Sequence, residues 1–166
     1  MKHYHIAFVG MGSIGKRHLK NVCQLIASQG DTCTIDLYRS SMTRELPDDV
    51  KELVANQYLC CQDVQREYDM VFITNPTSLH LETAVKFRPV TKAFFIEKPV
   101  FDTSDVEEST ITLLDGIPSY VACPLRYNPV LQYVKQHVDL EKVISVRAMS
   151  SSYLPDWRPG QDYHKT

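Results

Sequence analysis

The chain has 166 residues, 43% of them hydrophobic and 23% charged, with a formal net charge of -2. That is room for one full domain, or one domain and part of another, at an ordinary globular composition. The charge offers no basic field for nucleic acid or an anionic membrane, and no apolar run is long enough to span a bilayer.

The N-terminus enters a strand almost at once and shows no secretory signal. Residues 3–9 read as the first strand, apolar on both faces over most of its length, as a parallel sheet requires. It leads into Gly10-Met11-Gly12-Ser13-Ile14-Gly15. Gly15, Leu19, Val22, Cys23 and Ile26 then recur at helical spacing, and Gly30 supplies a stop. Strand, glycine turn and helix in this order are the setting in which Gly-x-Gly-x-x-Gly binds a dinucleotide. Gly10 permits the tight turn. Gly12 lets a pyrophosphate approach the backbone, and Gly15 lets the helix pack on the strand. The helix start at Ser13 and Ile14 then offers free amides and a positive dipole end to the phosphates. The alternative is a glycine-rich turn without a ligand.

Residues 33–38 predict a second strand. Its end reads Asp36-Leu37-Tyr38-Arg39-Ser40-Ser41. A site for NAD usually places an acid at this strand end to bond the ribose hydroxyls. Arg39 stands in that place, and Asp36 lies earlier, inside the strand, pointing sideways. Arg39 with Ser40 and Ser41 favours the 2′-phosphate of NADP over NAD.

A helix is predicted over 47–56, with Pro47 in its first turn and Asp48 and Asp49 at the dipole's positive end. Residues 58–61 read as a short extra strand. Residues 69–74 predict the next buried strand, which Asn75-Pro76 ends. Thr77 or Ser78 then caps a helix through His80, Ala84 and Val85. Residues 92–96 predict a further strand, ending at Glu97-Lys98-Pro99. Ser104 with Glu107 reads as a capping box opening another helix. Residues 120–123 are one more strand.

This alternation predicts an α/β fold, a Rossmann doubly wound parallel sheet, over residues 1–124. Right-handed crossovers place the strand ends Gly10, Arg39, Thr74, Glu97 and Pro124 along one edge, where ligands bind. After Cys123 the pattern changes to a helix over 128–138 and a strand with one wettable face over 143–152. A proline- and aromatic-rich segment follows. One strand and a tail make no independent core. Residues 125–166 therefore read as the incomplete start of an α+β substrate and oligomerisation domain. The alternative is a short protein whose tail docks on the first domain.

The five cysteines are odd in number and include no CxxC pair. They read as buried, reduced thiols of a cytoplasmic protein, with the adjacent Cys60 and Cys61 as a redox alternative. The six histidines show no metal-ligand spacing, and no metal is expected.

Four segments now stand together: Gly10-x-Gly12-x-x-Gly15-x-Arg17-His18, Thr74-Asn75-Pro76-Thr77-Ser78-Leu79-His80, Glu97-Lys98-Pro99 and Arg126-Tyr127-Asn128-Pro129. Together they resemble the glucose-fructose oxidoreductase / inositol dehydrogenase / rhizopine-catabolism (Gfo/Idh/MocA) family along the whole chain. Residues 153–163 further resemble a bacterial subgroup linked to sugars of surface polysaccharides. The resemblance implies a two-domain NAD(P)-dependent oxidoreductase. Hydride would pass between nicotinamide and a secondary alcohol of a sugar, nucleotide-sugar or polyol.

In that frame Lys98 is the expected catalytic residue, bonding the substrate oxygen and relaying its proton. The resemblance also implies a cis bond before Pro99. The other reading of Lys98 is a solvated loop lysine bonded to Glu97 or a phosphate. Thr74, Asn75 and Pro76 are implied to line the nicotinamide ribose side, with Glu97 beside them. His80 either touches the cofactor or packs, and His18 either packs or caps. Arg126 borders nicotinamide or substrate, or forms an interdomain salt bridge. Asp156, Trp157 and Arg158 approach substrate or brace a turn.

Family enzymes add an aspartate and a histidine from a glycine-rich segment that this sequence does not contain. The chain is therefore expected to bind dinucleotide and turn over little or no substrate. Relatives commonly assemble as homo-oligomers through the second domain's sheet. Two other readings stay open: a non-catalytic dinucleotide-sensing regulator on the same fold, and a docking module without dinucleotide affinity.

Overall fold

The computed structural model describes residues 1–64, 66–103, 105–112, 114–149 and 151. Six strands are present: β1 (His3–Val9), β2 (Thr32–Arg39), β3 (Asn56–Leu59), β4 (Met70–Ile73), β5 (Phe94–Ile96) and β6 (Ser119–Val121). Helices α1 (Ser13–Ser28), α2 (Asp48–Lys51), α3 (His80–Phe87), α4 (Glu108–Thr112) and α5 (Pro129–His137) complete the described elements with four 3-10 turns. The strands form one sheet in the order β3-β2-β1-β4-β5-β6. Every pairing is parallel. The sheet is the doubly wound one that the strand-helix alternation predicts.

Winding reverses direction between β1 and β4, and a crevice opens at the carboxyl ends of strands at such a reversal. The register brings these ends level. Val9 pairs with both Tyr38 and Ile73, Ile73 with Ile96, and Ile96 with Val121. Gly10, Arg39, Thr74 and Glu97 each stand at or just past the end of their strand, along one edge.

Strand alternation divides the core. Ala7, Val9, Tyr38, Val71, Ile73, Phe94 and Ile96 face Ala84 and Phe87 of α3. Ile6, Phe8, Ile35, Leu37 and Phe72 face Leu19 and Ile26 of α1 and Val50 of α2. On that second face Phe8 stacks on Phe72 at 4.4 Å between ring centroids, and Phe72 on Phe95 at 4.9 Å. Each such buried ring contributes about 1.5–3 kcal/mol through burial.

Several local expectations need correction. The helix predicted over 47–56 is confined to α2. Its continuation unwinds into i-to-i−3 bonds from Leu53 to Val50 and Val54 to Lys51, because Ala55 N–H is taken by Ile35 of the sheet. Pro47 sits at its N-cap, with Asp48 and Asp49 in the first turn. Neither Thr77 nor Ser78 caps α3 with its side chain; both lie in a 3-10 turn, Thr77–Leu79, leading into it. Helix α4 begins at Glu108, later than the capping box, whose Ser104 lies outside the described residues.

The chain divides into two compact units, Met1–Cys123 and Pro124–Thr166. In the second, Asn128 Oδ1 caps α5 by accepting from Val130 N–H at 3.0 Å and Leu131 N–H at 3.3 Å. Of the strand expected over 143–152, the described residues 143–149 join no ladder. A strand exists only through backbone bonds to a neighbour. Ile144, Val146 and Met149 are left almost fully exposed.

The five cysteines are free thiols, four half-buried and Cys61 exposed. Burial pushes the Cys23 thiol up to about 12, with Cys33 beside it adding to the shift. No described helix is long and apolar enough to cross a membrane.

Candidate functional site

The three glycines after β1 carry three different constraints. Gly10 adopts φ +88, and a Cβ there would lie 2.7 Å from the Asn75 backbone. A side chain is excluded twice, by conformation and by contact. A Cβ on Gly15 would stand 2.8 Å from Thr74 Oγ1 and 3.1 Å from Gly10 O, so α1 rests directly on the strand ends. A Cβ on Gly12 would meet nothing within 4 Å. That space is open over the start of a sixteen-residue helix with no side-chain cap and no acidic residue in its first turn. The amide of Lys16 bonds Gly12 O at 3.1 Å, while helix geometry leaves the amides before it without intrahelical acceptors. This uncapped helix start, open to solvent, fits a pyrophosphate.

Across the crevice, Thr74 Oγ1 lies 3.1 Å from Val9 O and 3.0 Å from Gly10 O, its hydroxyl donating to the glycine turn. Thr74 is buried, so its side chain secures the turn rather than lining open space. Asn75 Nδ2 donates to Thr83 Oγ1 at 2.8 Å. Its Oδ1 is buried without a partner among the described residues, an acceptor left for a donor from outside. Asn75, Pro76, Leu79 and Thr83 line a cleft of about 170 Å³ together with Gly10 and Ser40.

His80 is turned inward, 2% exposed. Its Nδ1 lies 3.0 Å from Pro99 O and its Nε2 3.0 Å from Asn75 O. The ring staples the turn after β4 to the turn after β5; it is a positioning group rather than a surface for a ligand. A neutral ring donates to one of these carbonyls, an imidazolium to both.

Glu97 is also buried. His18 Nε2 donates to its Oε1 at 2.6 Å, and Lys98 N–H donates to its Oε2 at 3.1 Å. His18 rests edge-on against Phe95, with centroids 4.8 Å apart. Lys98 itself is exposed, and no acceptor among the described residues holds its ammonium. The Lys98–Pro99 peptide is cis. Of the loop-lysine alternative, the bond to Glu97 is made by the backbone amide of Lys98 and not by its side chain, whose exposure is that of a solvated lysine.

At the end of β2 the two candidate acids and bases part company. Asp36 faces the α3 side with no exposure. Its carboxylate accepts from Tyr68 O–H at 2.9 Å and Asn56 Nδ2 at 2.8 Å, with Arg66 Nε at 3.2 Å. Burial, then the bonds to Tyr38 and Asp36, push the Tyr68 phenol well above the usual tyrosine range. Asp36 is fully committed and cannot reach a ribose. Arg39, three residues on, lies on the α1 face with Leu37. It lines a cleft of about 340 Å³ with Gly12, Lys16, Ser40, Ser41 and Arg44. Lys16 and Arg44 were not singled out from the sequence, although both are cations within a few residues of the motifs.

Arg126 lies in the second unit, in the 3-10 turn Pro124–Tyr127, where its carbonyl accepts from Gln132 Nε2. Asp156, Trp157 and Arg158 lie outside the described residues.

The family model for the Gfo/Idh/MocA oxidoreductases, described as an oxidoreductase family with an NAD-binding Rossmann fold, matches residues 4–114. No curated protein matches the sequence. Among solved structures, the chain is similar to apo scyllo-inositol dehydrogenase from Lactobacillus casei, at 23% identity and a TM-score of 0.64, over 81% of this chain and 41% of that one. It is similar to myo-inositol 2-dehydrogenase from Lactobacillus plantarum, at 20% identity and a TM-score of 0.65, over 80% and 40%. It is also similar to the WlbA dehydrogenase from Bordetella pertussis, solved with NADH and UDP-GlcNAcA, at 21% identity and a TM-score of 0.63, over 82% and 41%. The chain thus spans about two fifths of the length of these structures. At these identities they establish a shared fold.

Proposed function

We propose, from the premise that this chain belongs to the Gfo/Idh/MocA oxidoreductase family with its NAD-binding Rossmann fold, that it binds a nicotinamide dinucleotide and takes NADP in preference to NAD. The observation that carries the reading is the open, uncapped start of α1 over Gly12, at the reversal of the sheet. Gly12, Ser13, Ile14 and Gly15 would hold the pyrophosphate through backbone amides and the helix dipole. Arg39 and Ser40 would take the 2′-phosphate, with Asp36 unable to compete for the ribose. Asn75 Oδ1, buried without a donor among the described residues, suits a ribose hydroxyl.

The bound cofactor supplies hydride chemistry toward a secondary alcohol of a sugar, nucleotide-sugar or polyol. Lys98 would bond the substrate oxygen and pass on its proton, and no acceptor among the described residues holds its ammonium. Glu97 and His80 hold the turn that presents it, each from a buried position. The sequence lacks the glycine-rich segment with aspartate and histidine that the family adds for acid–base work. On that account this chain by itself binds dinucleotide and turns over little or no substrate. The second reading is a dinucleotide-sensing regulator on the same fold that does no chemistry, and the presence of Lys98 argues for the enzyme against it.

The deciding experiment is a fluorescence titration with NADPH and NADH, repeated with Arg39→Asp. Tight NADPH binding that weakens in the variant supports the reading. Stronger NADH binding overturns the NADP preference. A folded chain that binds neither overturns the dinucleotide function altogether.

A further inference from the structure

The Arg39 guanidinium is not left to swing in the cleft. One of its terminal nitrogens donates to Gln57 Oε1 at 2.8 Å, and the other donates to the carbonyl of Arg44. A guanidinium only donates, so the amide oxygen of Gln57 must be the atom that faces it. The first bond reaches across the sheet to β3. Arg39 pairs with Leu59 and Leu37 pairs with Gln57, so Arg39 and Gln57 are diagonal neighbours on one face. The second bond folds the segment after β2 back on itself. Arg39 therefore stands as a wall between two clefts, the one of about 340 Å³ over Gly12 and one of about 300 Å³ lined by Gln57 and Lys51.

The first cleft also collects Lys16 and Arg44, against one carboxylate, Glu45. Three cations and one anion form a local positive field in a chain whose formal net charge is -2. Such a field attracts an anion but does not orient it. Orientation requires that the planar fork of an arginine be fixed before the anion arrives. Gln57 and the Arg44 carbonyl together fix two of the fork's arms and leave the remaining N–H groups for a ligand.

We propose that Gln57 is a specificity-determining positioning residue: by holding Arg39 from β3, it converts a general attraction for anions into discrimination for the 2′-phosphate of NADP. The proposal rests on the NADP reading above. Gln57 itself touches no cofactor. Its loss should act through Arg39 alone, on NADPH and not on NADH.

The test is a double-mutant cycle on this chain, read by NADPH and NADH fluorescence titration, with thermal melting to confirm that each variant is folded. Gln57→Leu removes the acceptor at similar size. It should weaken NADPH binding by about five-fold and leave NADH binding within about two-fold. In an Arg39→Ala background the same substitution should have no further effect on NADPH. Gln57→Glu is the second variant, in case the leucine unsettles the short β3 strand. Its carboxylate pairs with Arg39 and repels the phosphate, so it should also weaken NADPH selectively. Equal weakening of both cofactors by Gln57→Leu, or an undiminished effect in the Arg39→Ala background, overturns the positioning role. A wild-type chain without NADPH preference, unaffected by Arg39→Ala, overturns the NADP reading and this inference with it. NADPH preference that depends on Arg39 but not on Gln57 overturns the inference alone.

Discussion

His18 Nε2 and Glu97 Oε1 lie 2.6 Å apart, although 79 residues separate them in the chain. The bond ties the early part of α1, which begins at the glycine turn, to the strand end that carries Lys98. Two halves of one site are thereby fixed to each other through a carboxylate that is 8% exposed.

His18→Ala should therefore cost stability. It strips one of the two bonds from a buried carboxylate and removes a ring from Phe95. The expected loss is about 1–3 kcal/mol, read from urea unfolding midpoints. Glu97→Gln in the same chain should recover part of it, because a neutral amide is less costly to bury. Midpoints unchanged from wild type would show that the pair is not stabilising.

A second long-range tie is pH-sensitive. Asp69 accepts from Lys92 Nζ at 2.7 Å and from the His5 amide of β1 at 2.9 Å. Burial opposes its ionisation, but the bond from Lys92, the bond from the His5 amide and the Lys92 charge outweigh that and hold the carboxyl below the usual range. A carboxyl lowered on folding stabilises fully above its unfolded value, about 3.9. That stability is lost as pH falls through the lower folded value. The wild type should exceed Asp69→Asn in urea midpoint at pH 7, and the gap should close below about pH 4. A gap that stays constant down to pH 2 would disconnect the effect from this titration.

Much of this architecture is legible in the sequence because its signals are local. The largely apolar stretches at 3–9 and 69–74, bounded by turn residues, read as central strands, and the glycine spacing after the first is readable without coordinates. So is the arginine at the end of β2. What escaped is set by partners far along the chain. The helix expected over 47–56 stops early because Ala55 N–H serves Ile35 of the neighbouring strand. Residues 143–149 alternate as a strand should, yet without a neighbour they join no ladder. His80 follows its turn as a ligand-facing histidine would, but the two carbonyls that claim it come from Asn75 and Pro99. Gln57 becomes visible only once the register of β2 against β3 is known.

The glycine turn allows fold and binding to be separated. At Gly10 any side chain meets the Asn75 backbone at 2.7 Å in a left-handed conformation, and Gly10→Ala should prevent stable folding. Gly15→Ala places a methyl 2.8 Å from Thr74 Oγ1, which must give up its bonds to the glycine turn. About 1–3 kcal/mol of destabilisation is expected there. Gly12 differs from both: its φ is -71, and a Cβ has open space around it. Gly12→Ala should melt within a degree or two of wild type, since nothing in the protein is displaced. On the proposed reading, the space the methyl occupies is the one through which a pyrophosphate would reach the amides of α1, so NADPH affinity should fall by at least about ten-fold. Melting and titration on the same samples make the comparison. A Gly12→Ala chain that keeps both its stability and its NADPH affinity would mean that the open start of α1 is not where the phosphates bind.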